Sequence, residues 1–414
     1  MEVLILGGGV VGVTTAYQLQ QDGHRVTLLE REPQVAEGAS WGNAGMIAPG
    51  HSFVWSSPAA PMILLKSLFL KDQALRFKLS ADPHLYTWSL RFLLECTAQK
   101  ARRNTLLKHR LAVHSQQVLQ EVVAAEGIGY DRTGAGILYF HRSREALDRG
   151  VQNMRLLESD GQRIEVLGAR EIAQREPALA ASAERIAGGI LCPTDETGDC
   201  AKFTRALAAV VAARGGEIVT GTTVTGIERS GDAVRRVITE RGDLAADGYV
   251  LCLGAESPLL ARQIGLRLPI YPIKGYSLTL PISEPGAAPR LPVIDEHNLV
   301  ALTPMGDRLR VTATAEFAGY DRSHRPADFT FMKSIAQGLF PEGIAYDRAK
   351  MWAGLRPMTP DNLPVLGRRG LKNLWLNCGH GHIGWTLSHG SARIVADLMG
   401  GHRPPICLDG IVPA

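Results

Sequence analysis

Short apolar runs at the start of the chain are separated by a glycine-rich turn and a longer helical stretch. Residues 3–6 are apolar throughout, which predicts a buried strand, and residues 10–21 have the spacing of small and apolar side chains typical of a helix. A second apolar run over residues 24–30 predicts another strand. The pattern therefore predicts a βαβ unit at the N-terminal end, with Glu30 closing its second strand.

Periodicity along the rest of the chain alternates between the helical and the extended kind. Strict alternation over residues 270–318 predicts antiparallel strands, and residues 136–140 predict a single strand. Asp199 is predicted to be the N-cap residue of the helix over residues 199–214. Helices are predicted over residues 84–126, 145–159, 171–175, 199–214 and 327–338.

Composition narrows the class of protein. The chain has 414 residues, of which 45% are hydrophobic and 21% charged, so it is long enough for two structural units. A net charge of +4 without a basic block does not favour nucleic-acid binding. None of the six cysteines forms a zinc-like spacing, so no metal site is expected. Because nothing before the first strand resembles a signal peptide, we expect reduced thiols and a cytoplasmic location.

The glycines of the first turn match the pattern G-x-G-x-x-G. Gly7 would permit the tight turn, Gly9 would let the backbone approach a pyrophosphate, and Gly12 would let the helix pack closely on the strand. The N–H groups at the helix start favour phosphate. Glu30 can accept hydrogen bonds from ribose hydroxyls, and its charge disfavours a 2′-phosphate. FAD or NAD is therefore preferred over NADP.

The segment that follows distinguishes between these two dinucleotides. An NAD-binding unit would continue with a helix and a third strand, whereas residues 38–52 form a second loop rich in glycine and small residues. Such a loop can follow a long, extended ligand with its backbone. FAD is therefore favoured, and an NAD-linked dehydrogenase remains the alternative.

At this point the chain resembles a known family. GGGVVG, Glu30-Arg31 and Ser40-x-x-Asn43-Ala44-Gly45 resemble the D-amino-acid oxidase superfamily of flavoproteins, which includes glycine and sarcosine oxidases. The resemblance to bacterial D-amino-acid dehydrogenases within it extends to about residue 400. It rests on LCPTDETGDC (191–200), YPIKGYSLTLPI (271–282), WAGLRPMTPDNLPVLGR (352–368) and NLWLNCGHGHIGWTLSHGSARIVADLM (373–399). His51 and the second histidine of GHGH, His382, depart from the common dehydrogenase pattern and leave the substrate open.

The pattern and the resemblance together predict an α/β fold with an α+β second domain. The first would be a Rossmann-like FAD-binding domain, discontinuous in sequence. The second would be a substrate-binding domain built on a mostly antiparallel sheet. We expect residues 1–83, 192–266 and 347–414 in the FAD-binding domain, and residues 84–191 and 267–346 in the substrate-binding domain.

Arg356 is the first candidate for substrate binding. Pro357 restricts it to extended geometry, and a guanidinium fork suits a carboxylate. The resemblance implies that this arginine binds the substrate carboxylate, and a structural salt bridge is the alternative. Lys274 and Tyr276 lie on one face of a strand, and His51 follows the loop expected beside the flavin. These three are further candidates for the active site, with packing or surface positions as the alternatives.

A glycine-rich segment over residues 378–386 precedes an apolar helix, whose N-terminus would favour negative charge on a reduced flavin. Together with the resemblance, these features place the following residues around FAD: Gly7, Gly9, Val10, Val11, Gly12, Glu30, Arg31, Ala39, Ser40, Asn43, Ala44, Gly45, Met46, Val224, Gly254, Ala255, Gly354, Gly379, His380, Gly381, His382, Ile383 and Gly384.

The resemblance implies oxidation of a D-amino acid by hydride transfer from the α-carbon to flavin N5. The products would be a 2-oxo acid and ammonia, or a cyclic imine from substrates of the D-proline type, and a quinone or other carrier would accept the electrons. A D-proline or D-hydroxyproline dehydrogenase, a glycine or sarcosine oxidase that uses oxygen, and an accessory FAD subunit with partner subunits are the alternatives.

The apolar run over residues 58–70 is too short to span a membrane. It could be a lid over the active site, a peripheral contact with the inner face of the cell membrane, or a packed helix.

Overall fold

Two sheets of different character carry the cavity described below. The computed structural model describes residues 1–67, 75–78, 81–407 and 411. Its helices are α1 Val10–Gln21, α2 Ala60–Ser67, α3 Pro83–Glu95, α4 Ala98–Glu126, α5 Arg144–Glu158, α6 Ala169–Arg175, α7 Cys200–Ala213, α8 Ser257–Gln263, α9 Thr330–Leu339 and α10 Gly384–Met399.

The strands fall into two large sheets, one three-stranded sheet and one pair. They are β1 Glu2–Leu6, β2 Arg25–Leu29, β3 Met46–Ile47, β4 Leu75–Phe77, β5 Ile137–His141, β6 Glu165–Gly168, β7 Gly188–Cys192, β8 Glu196–Thr197, β9 Glu217–Val219, β10 Val224–Ser230, β11 Ala233–Thr239, β12 Gly242–Leu244, β13 Gly248–Leu251, β14 Tyr271–Pro281, β15 Val293–Asp295, β16 Val300–Met305, β17 Arg308–Phe317, β18 Lys350–Met358, β19 Val365–Arg368 and β20 Leu374–Cys378.

The first sheet has the strand order β19-β20-β13-β1-β2-β9. Its strands run parallel except β19, which pairs antiparallel with β20. The central strands are apolar because both faces are buried, as in other parallel sheets. The predicted βαβ unit is confirmed, since β1, α1 and β2 follow one another and β1 pairs with β2 in parallel.

The second sheet has the order β18-β14-β17-β16-β15-β5-β7-β6, and β4 pairs with β17. Most of its pairs are antiparallel; β15 with β5 and β17 with β4 are the parallel ones. The alternation of side chains over residues 270–318 predicts the strands β14 and β17 of this sheet. The predicted α/β fold with a mostly antiparallel second sheet is confirmed.

Two segments contact a sheet or core other than the one that the predicted domain division assigns to them. Helix α4, expected in the substrate-binding part, packs against α10 and shares an apolar core with β1. The two helices approach closely, because a Cβ at Gly390 would lie 2.9 Å from Cβ of Ser115. Strand β18, expected in the FAD-binding part, is instead the edge strand of the second sheet beside β14.

Helix α2 covers residues 60–67 of the apolar run 58–70, and residues 68–70 lie outside the described part of the chain. The side chains of Met62, Ile63 and Leu65 are exposed. Among the helices within the described residues, none has the length and apolar character needed to cross a membrane.

Candidate active site

A cavity of about 560 Å³ is lined by residues of both large sheets. It extends from the start of α1 and the end of β2 to β14 and β18. Most of the residues predicted to bind FAD or substrate lie on its wall: Gly7, Gly9, Val10, Val11, Glu30, Arg31, Ala39, Ser40, Asn43, Ala44, Val224, Gly254, Ala255, Tyr276, Gly354, Arg356, His380, Gly381, His382 and Gly384.

The glycines at the start of α1 permit close contacts between main chains. A Cβ at Gly12 would lie 1.8 Å from the carbonyl oxygen of Gly7, so the helix can approach β1 only with glycine there. Gly7 has φ +111°, a left-handed value that favours glycine. Gly9 is the N-cap residue, and Ser40 Oγ accepts the N–H of Val10 at 2.9 Å. The helix N-terminus therefore opens onto the cavity, with part of its capping supplied by the loop that follows β2.

Glu30 lies on the cavity wall at the end of β2. Its carboxylate accepts the N–H of Gly8 at 2.7 Å and that of Glu32 at 2.9 Å. Burial raises the pKa of Glu30, and these two N–H groups oppose the rise. Arg31 forms an ion pair with Glu256 at 2.5 Å. Glu30 thus fixes the glycine turn as well as facing the cavity, while its binding of ribose stays a prediction.

The loop after β2 is fastened to the second sheet by Arg310 of β17. Its Nη1 donates to the carbonyl oxygens of Trp41 at 2.9 Å and Asn43 at 2.7 Å. Asn43 Oδ1 accepts the N–H of Gly45 at 2.8 Å, which closes a local turn. The backbone of this loop is therefore held on the cavity wall by contacts with β17.

Arg356 projects from β18 across Gly275 of β14. A Cβ at position 275 would lie 2.3 Å from Nη1 of Arg356, so the guanidinium needs glycine beneath it. Nη1 donates to the carbonyl oxygens of Thr314 at 3.0 Å and Lys274 at 3.3 Å. Within the described ranges no carboxylate lies within ion-pair distance of Arg356, so the alternative of a structural salt bridge is not what the structure shows. Burial lowers the pKa of Arg356 to about 10, and it stays charged at neutral pH.

Lys274 and Tyr276 share a face of β14, as their alternation predicts, with Nζ of the lysine 5.3 Å from the centre of the tyrosine ring. Nζ of Lys274 donates to the carbonyl oxygen of Ser323 and lies 4.0 Å from Asp321, so the lysine does not face the cavity. The tyrosine ring lines the cavity, but its hydroxyl donates to Glu316. Both polar ends are thus drawn to partners outside the cavity.

The three histidines near the predicted flavin segment occupy different positions. His380 lines the cavity, and its Nε2 is 2.8 Å from Ser391 Oγ. His382 also lines the cavity and stacks on Trp55 at 4.9 Å between ring centres. His51 is not on the wall but meets the edge of His382, with ring centres 5.6 Å apart. Burial lowers the pKa of His51 to about 4, so its imidazole is neutral.

Several other predicted residues support the wall from behind. Gly12, Gly45, Met46, Gly379 and Ile383 do not line the cavity. Gly12 packs on β1, and Met46 pairs with Thr197 of β8. Ile383 belongs to the apolar core beneath the first sheet. These residues position the lining segments rather than face the ligand space.

Sequence reasoning missed some residues that shape the site. Trp352 lies against Gly42 and Gly354, where a Cβ would be 1.9 and 2.0 Å from its ring. Glycines at both positions could have indicated a large neighbour. Lys108 of α4 is buried below the segment that carries His51, and only its place among apolar residues of a helix could have drawn attention to it.

The residues present fit FAD. The cavity extends from the glycine turn to β18, its wall has few side chains at the glycine turn, and a helix N-terminus opens onto it. The N–H groups near Gly9 would hold the pyrophosphate, and the segment from His380 to Gly384 would lie by the flavin.

Comparison with known proteins agrees with this fit. A family model described as FAD dependent oxidoreductase (DAO) matches residues 2–398. D-amino acid dehydrogenase 2 of Mesorhizobium japonicum is 44% identical over 413 residues, which is 100% of this chain and 99% of the relative. The D-amino acid dehydrogenase of Methylobacterium radiotolerans is also 44% identical, over 99% of this chain and 98% of the relative.

Among solved structures, glycine oxidase from Geobacillus kaustophilus superimposes with a TM-score of 0.77 at 24% identity, over 100% of this chain and 98% of the other. Iminodiacetate oxidase from Chelativorans gives a TM-score of 0.75 at 21% identity, over 99% and 98%. These two likenesses concern the fold. The family match over residues 2–398, together with the relatives 44% identical over the whole chain, shows that the chain belongs to the DAO family of FAD-dependent oxidoreductases.

Proposed function

We propose that the chain is an FAD-dependent D-amino acid dehydrogenase. The substrate would lose a hydride from Cα and a proton from nitrogen, and water would hydrolyse the imino acid to a 2-oxo acid and ammonia. Bound FAD supplies the acceptor of the hydride. The observation that carries the proposal is Arg356, a buried guanidinium on the cavity wall with no acidic partner in the described residues. The names of relatives 44% identical over the whole chain support the same substrate class.

Arg356 would bind the α-carboxylate. Its Nη1 is held by two carbonyl oxygens, so the guanidinium has a fixed direction before substrate arrives. Carbonyl oxygens satisfy N–H groups without neutralising the charge, so the arginine keeps its attraction for an anion. A buried charge-assisted pair is stronger than an exposed one.

Helix α10 would support the negative charge that develops on the cofactor. It begins at Gly384 on the cavity wall, and no side chain caps its N-terminus. The exposed N–H groups and the positive end of the helix dipole favour negative charge at that place. The loop 378–384 would thus contribute electrostatic stabilisation through its backbone rather than through an acid or base.

The test is anaerobic mixing of the holoprotein with D- and L-amino acids, including D-proline, hydroxy-D-proline, glycine and sarcosine. Flavin absorbance near ~450 nm is followed. We expect bleaching by D-amino acids only. Air is then admitted, and slow recovery of colour would indicate a dehydrogenase, whereas fast recovery with hydrogen peroxide would indicate an oxidase. Bleaching by glycine or sarcosine alone, or by no compound at all, would refute the proposal.

A matched pair of variants tests the role of Arg356. Arg356→Lys keeps the charge but loses the fork, so we expect KM for D-amino acids to rise at least about 10-fold. Arg308→Lys is the control, because Arg308 is paired with Asp131 and Asp199 and does not line the cavity. Unchanged KM in Arg356→Lys would remove the carboxylate assignment.

We propose further that electrons pass to a quinone at a membrane surface. Helices α2 and α3 both pack on the cluster around Trp88 and Tyr271, and each of them exposes apolar side chains, which we call the apolar patch. The patch consists of Met62, Ile63, Leu65, Leu90, Leu93 and Leu94, each 45–62% exposed. An exposed apolar surface of this kind suits the lipid interface.

Sedimentation with vesicles of phosphatidylethanolamine and phosphatidylglycerol that contain ubiquinone tests the patch. We expect the wild type to bind and to reduce the quinone, and the double variant Leu90→Glu/Leu94→Glu to lose binding while flavin bleaching by substrate is kept. Val166→Glu, a change at an exposed apolar residue of β6, is the control. Equal binding by all three proteins, or by none, would refute a membrane contact through this patch.

A further inference from the structure

A cluster of basic side chains lies at the Arg356 end of the cavity. His382 is on the wall, and His51 and Lys108 stand behind it. Lys108 is 1% exposed and belongs to α4, which packs on the turn Pro49–His51. Thr105, one turn before the lysine, accepts the N–H of Val54 at 3.3 Å. We call His51, Lys108 and His382 the basic cluster.

The basic cluster has hydrogen-bonding atoms without partners. Within the described residues, Nζ of Lys108 is buried and bonded to no other group, and the buried imidazole of His382 has only the backbone of His51 as a hydrogen-bonding neighbour, which leaves one ring nitrogen without a partner. Buried polar atoms are nearly always paired in folded proteins, because leaving them unpaired is costly. On the cavity wall and directly behind it, the amino group of Lys108 and the free ring nitrogen of His382 therefore favour a polar ligand group beside them.

The charge of the cluster shows what kind of group would bind. Burial lowers the pKa of Lys108 to about 7. Burial also lowers the pKa values of His51 and His382, and the positive charge of Lys108 lowers them further. Arg356 also lowers the pKa of His382. Each of these groups would gain from a nearby negative charge, which favours the protonated forms.

The acidic side chains of the region do not supply that charge. Asp195 accepts the N–H of Gly50 and the hydroxyl of Tyr139, each at 3.1 Å, and makes no ion pair with Lys108. Glu30 and Glu256 lie at the opposite end of the cavity, beside the glycine turn and Arg31. In the part of the chain that the structure describes, Lys108 and Arg356 therefore have no acidic partner.

We propose that the basic cluster binds a second carboxylate, carried by the side chain of an acidic D-amino acid such as D-glutamate or D-aspartate, while Arg356 binds the α-carboxylate. This inference rests on the proposed function. His382 would donate directly to the side-chain carboxylate. Lys108 would be a positioning residue that acts through its charge. A neutral side chain of the same shape can still accept a hydrogen bond from His382, but it leaves the charge of Lys108 without a counter-charge, which gives the discrimination.

The kinetic test compares D-glutamate with D-glutamine, which has the same shape but no charge. We expect wild-type kcat/KM to favour D-glutamate, and Lys108→Met to lower that preference at least about 10-fold, through KM for D-glutamate alone. His389→Leu is the matched control. His389 is buried on α10 with both nitrogens unpartnered in the described part, but it packs on Phe203 and not on the cavity. It should leave the preference unchanged.

A binding measurement separates this inference from the proposed function. Calorimetric titration with glutarate and with valerate needs no turnover, and we expect the diacid to bind tighter to the wild type and equally to Lys108→Met. Equal binding to the wild type, or a preference for hydroxy-D-proline or D-alanine over D-glutamate, would overturn the inference and leave the dehydrogenase proposal standing.

If no D-amino acid bleaches the flavin, the dehydrogenase proposal fails, and the glutarate titration still decides on the basic cluster. A fall in kcat for D-glutamate and D-glutamine alike in Lys108→Met would show that the lysine acts on the cofactor, and would also overturn it.

Discussion

A buried lysine without an acidic partner opposes folding, and Lys108 is in that position. The amino group gives up the hydration it has in the unfolded chain and gains no ion pair among the described residues. Its pKa falls from 10.5 to about 7 for that reason. Such a cost is understandable where a group is kept for binding, since functional sites are often less stable than the rest of a protein.

Replacing Lys108 should stabilise the protein. The unfolded chain holds a proton on this lysine up to pH 10.5, whereas the folded chain releases it near pH 7. Stability therefore rises with pH between about 7 and 10, and the penalty is largest at or below pH 7. We expect Lys108→Met to raise the free energy of unfolding by about 2–4 kcal/mol at pH 7, with a smaller gain at pH 9–10.

Urea denaturation at several pH values, without added carboxylates, measures this effect. Lys202→Met is the control, because Lys202 is exposed and paired with Asp131, and its loss should cost less than about 1 kcal/mol. A loss of stability in Lys108→Met at pH 7 would mean that the lysine has a stabilising partner after all.

At the scale of residues, the sequence predicts some side-chain positions in the candidate site better than others. Arg356 is a candidate from the sequence because Pro357 restricts its backbone to extended geometry, and its binding of a carboxylate is what the resemblance implies. Lys274 was placed in the active site from strand alternation alone, which gives the face of a strand but not the partner that draws the amino group to Ser323. Lys108 lies in a helix far along the chain from His51 and His382, and only the packing of α4 brings them together.

At the scale of elements, the junction of β1 and α1 depends on the smallest side chain. The carbonyl of Gly7 faces the position of a Cβ at residue 12. This contact is local in sequence, and the bounds of α1 were predicted from local pattern for the same reason. The membership of α4 and β18 was predicted less well because partners distant in sequence decide it.

Gly12→Ala should displace the start of α1. A methyl 1.8 Å from a carbonyl oxygen cannot be accommodated without moving the helix, and overpacking of this kind costs about 1–3 kcal/mol. We also expect FAD affinity to fall at least about 10-fold, because the displaced N–H groups no longer suit the pyrophosphate. Fluorescence titration of the apoprotein with FAD and thermal denaturation measure the two effects.

Gly129→Ala is the matched control for this substitution. No atom lies within 4 Å of the added Cβ, so stability and FAD affinity should both stay near wild type. Normal FAD binding in Gly12→Ala would show that the turn tolerates the displacement.

At the scale of the whole molecule, the cavity joins the two large sheets. Its wall takes residues from β2 and β20 of the first sheet and from β14, β17 and β18 of the second. Arg310 adds a direct connection between β17 and the loop after β2. A ligand that fills the cavity should therefore stabilise both sheets together.

Removal of FAD should lower the thermal stability of the whole chain in one transition. With free FAD at about 100 times its Kd, the stabilisation is about 2.7 kcal/mol, and it grows with the logarithm of the FAD concentration. Scanning calorimetry of apoprotein and holoprotein measures this change. Two separate transitions, of which FAD moves only one, would show that the sheets unfold independently.

The strand order of the first sheet also affects how the protein is made. Strand β1 leaves the ribosome before the other strands of its sheet. Strand β20 follows after the whole second sheet has been synthesised, and β13, the partner of β1 on that side, is translated only at residues 248–251. Until then one edge of β1 has no partner, and unpaired edges promote aggregation of nascent chains. The glycine turn is thus translated long before Asn377 and Cys378 of β20, which also line the cavity, so cofactor loading follows the synthesis of both.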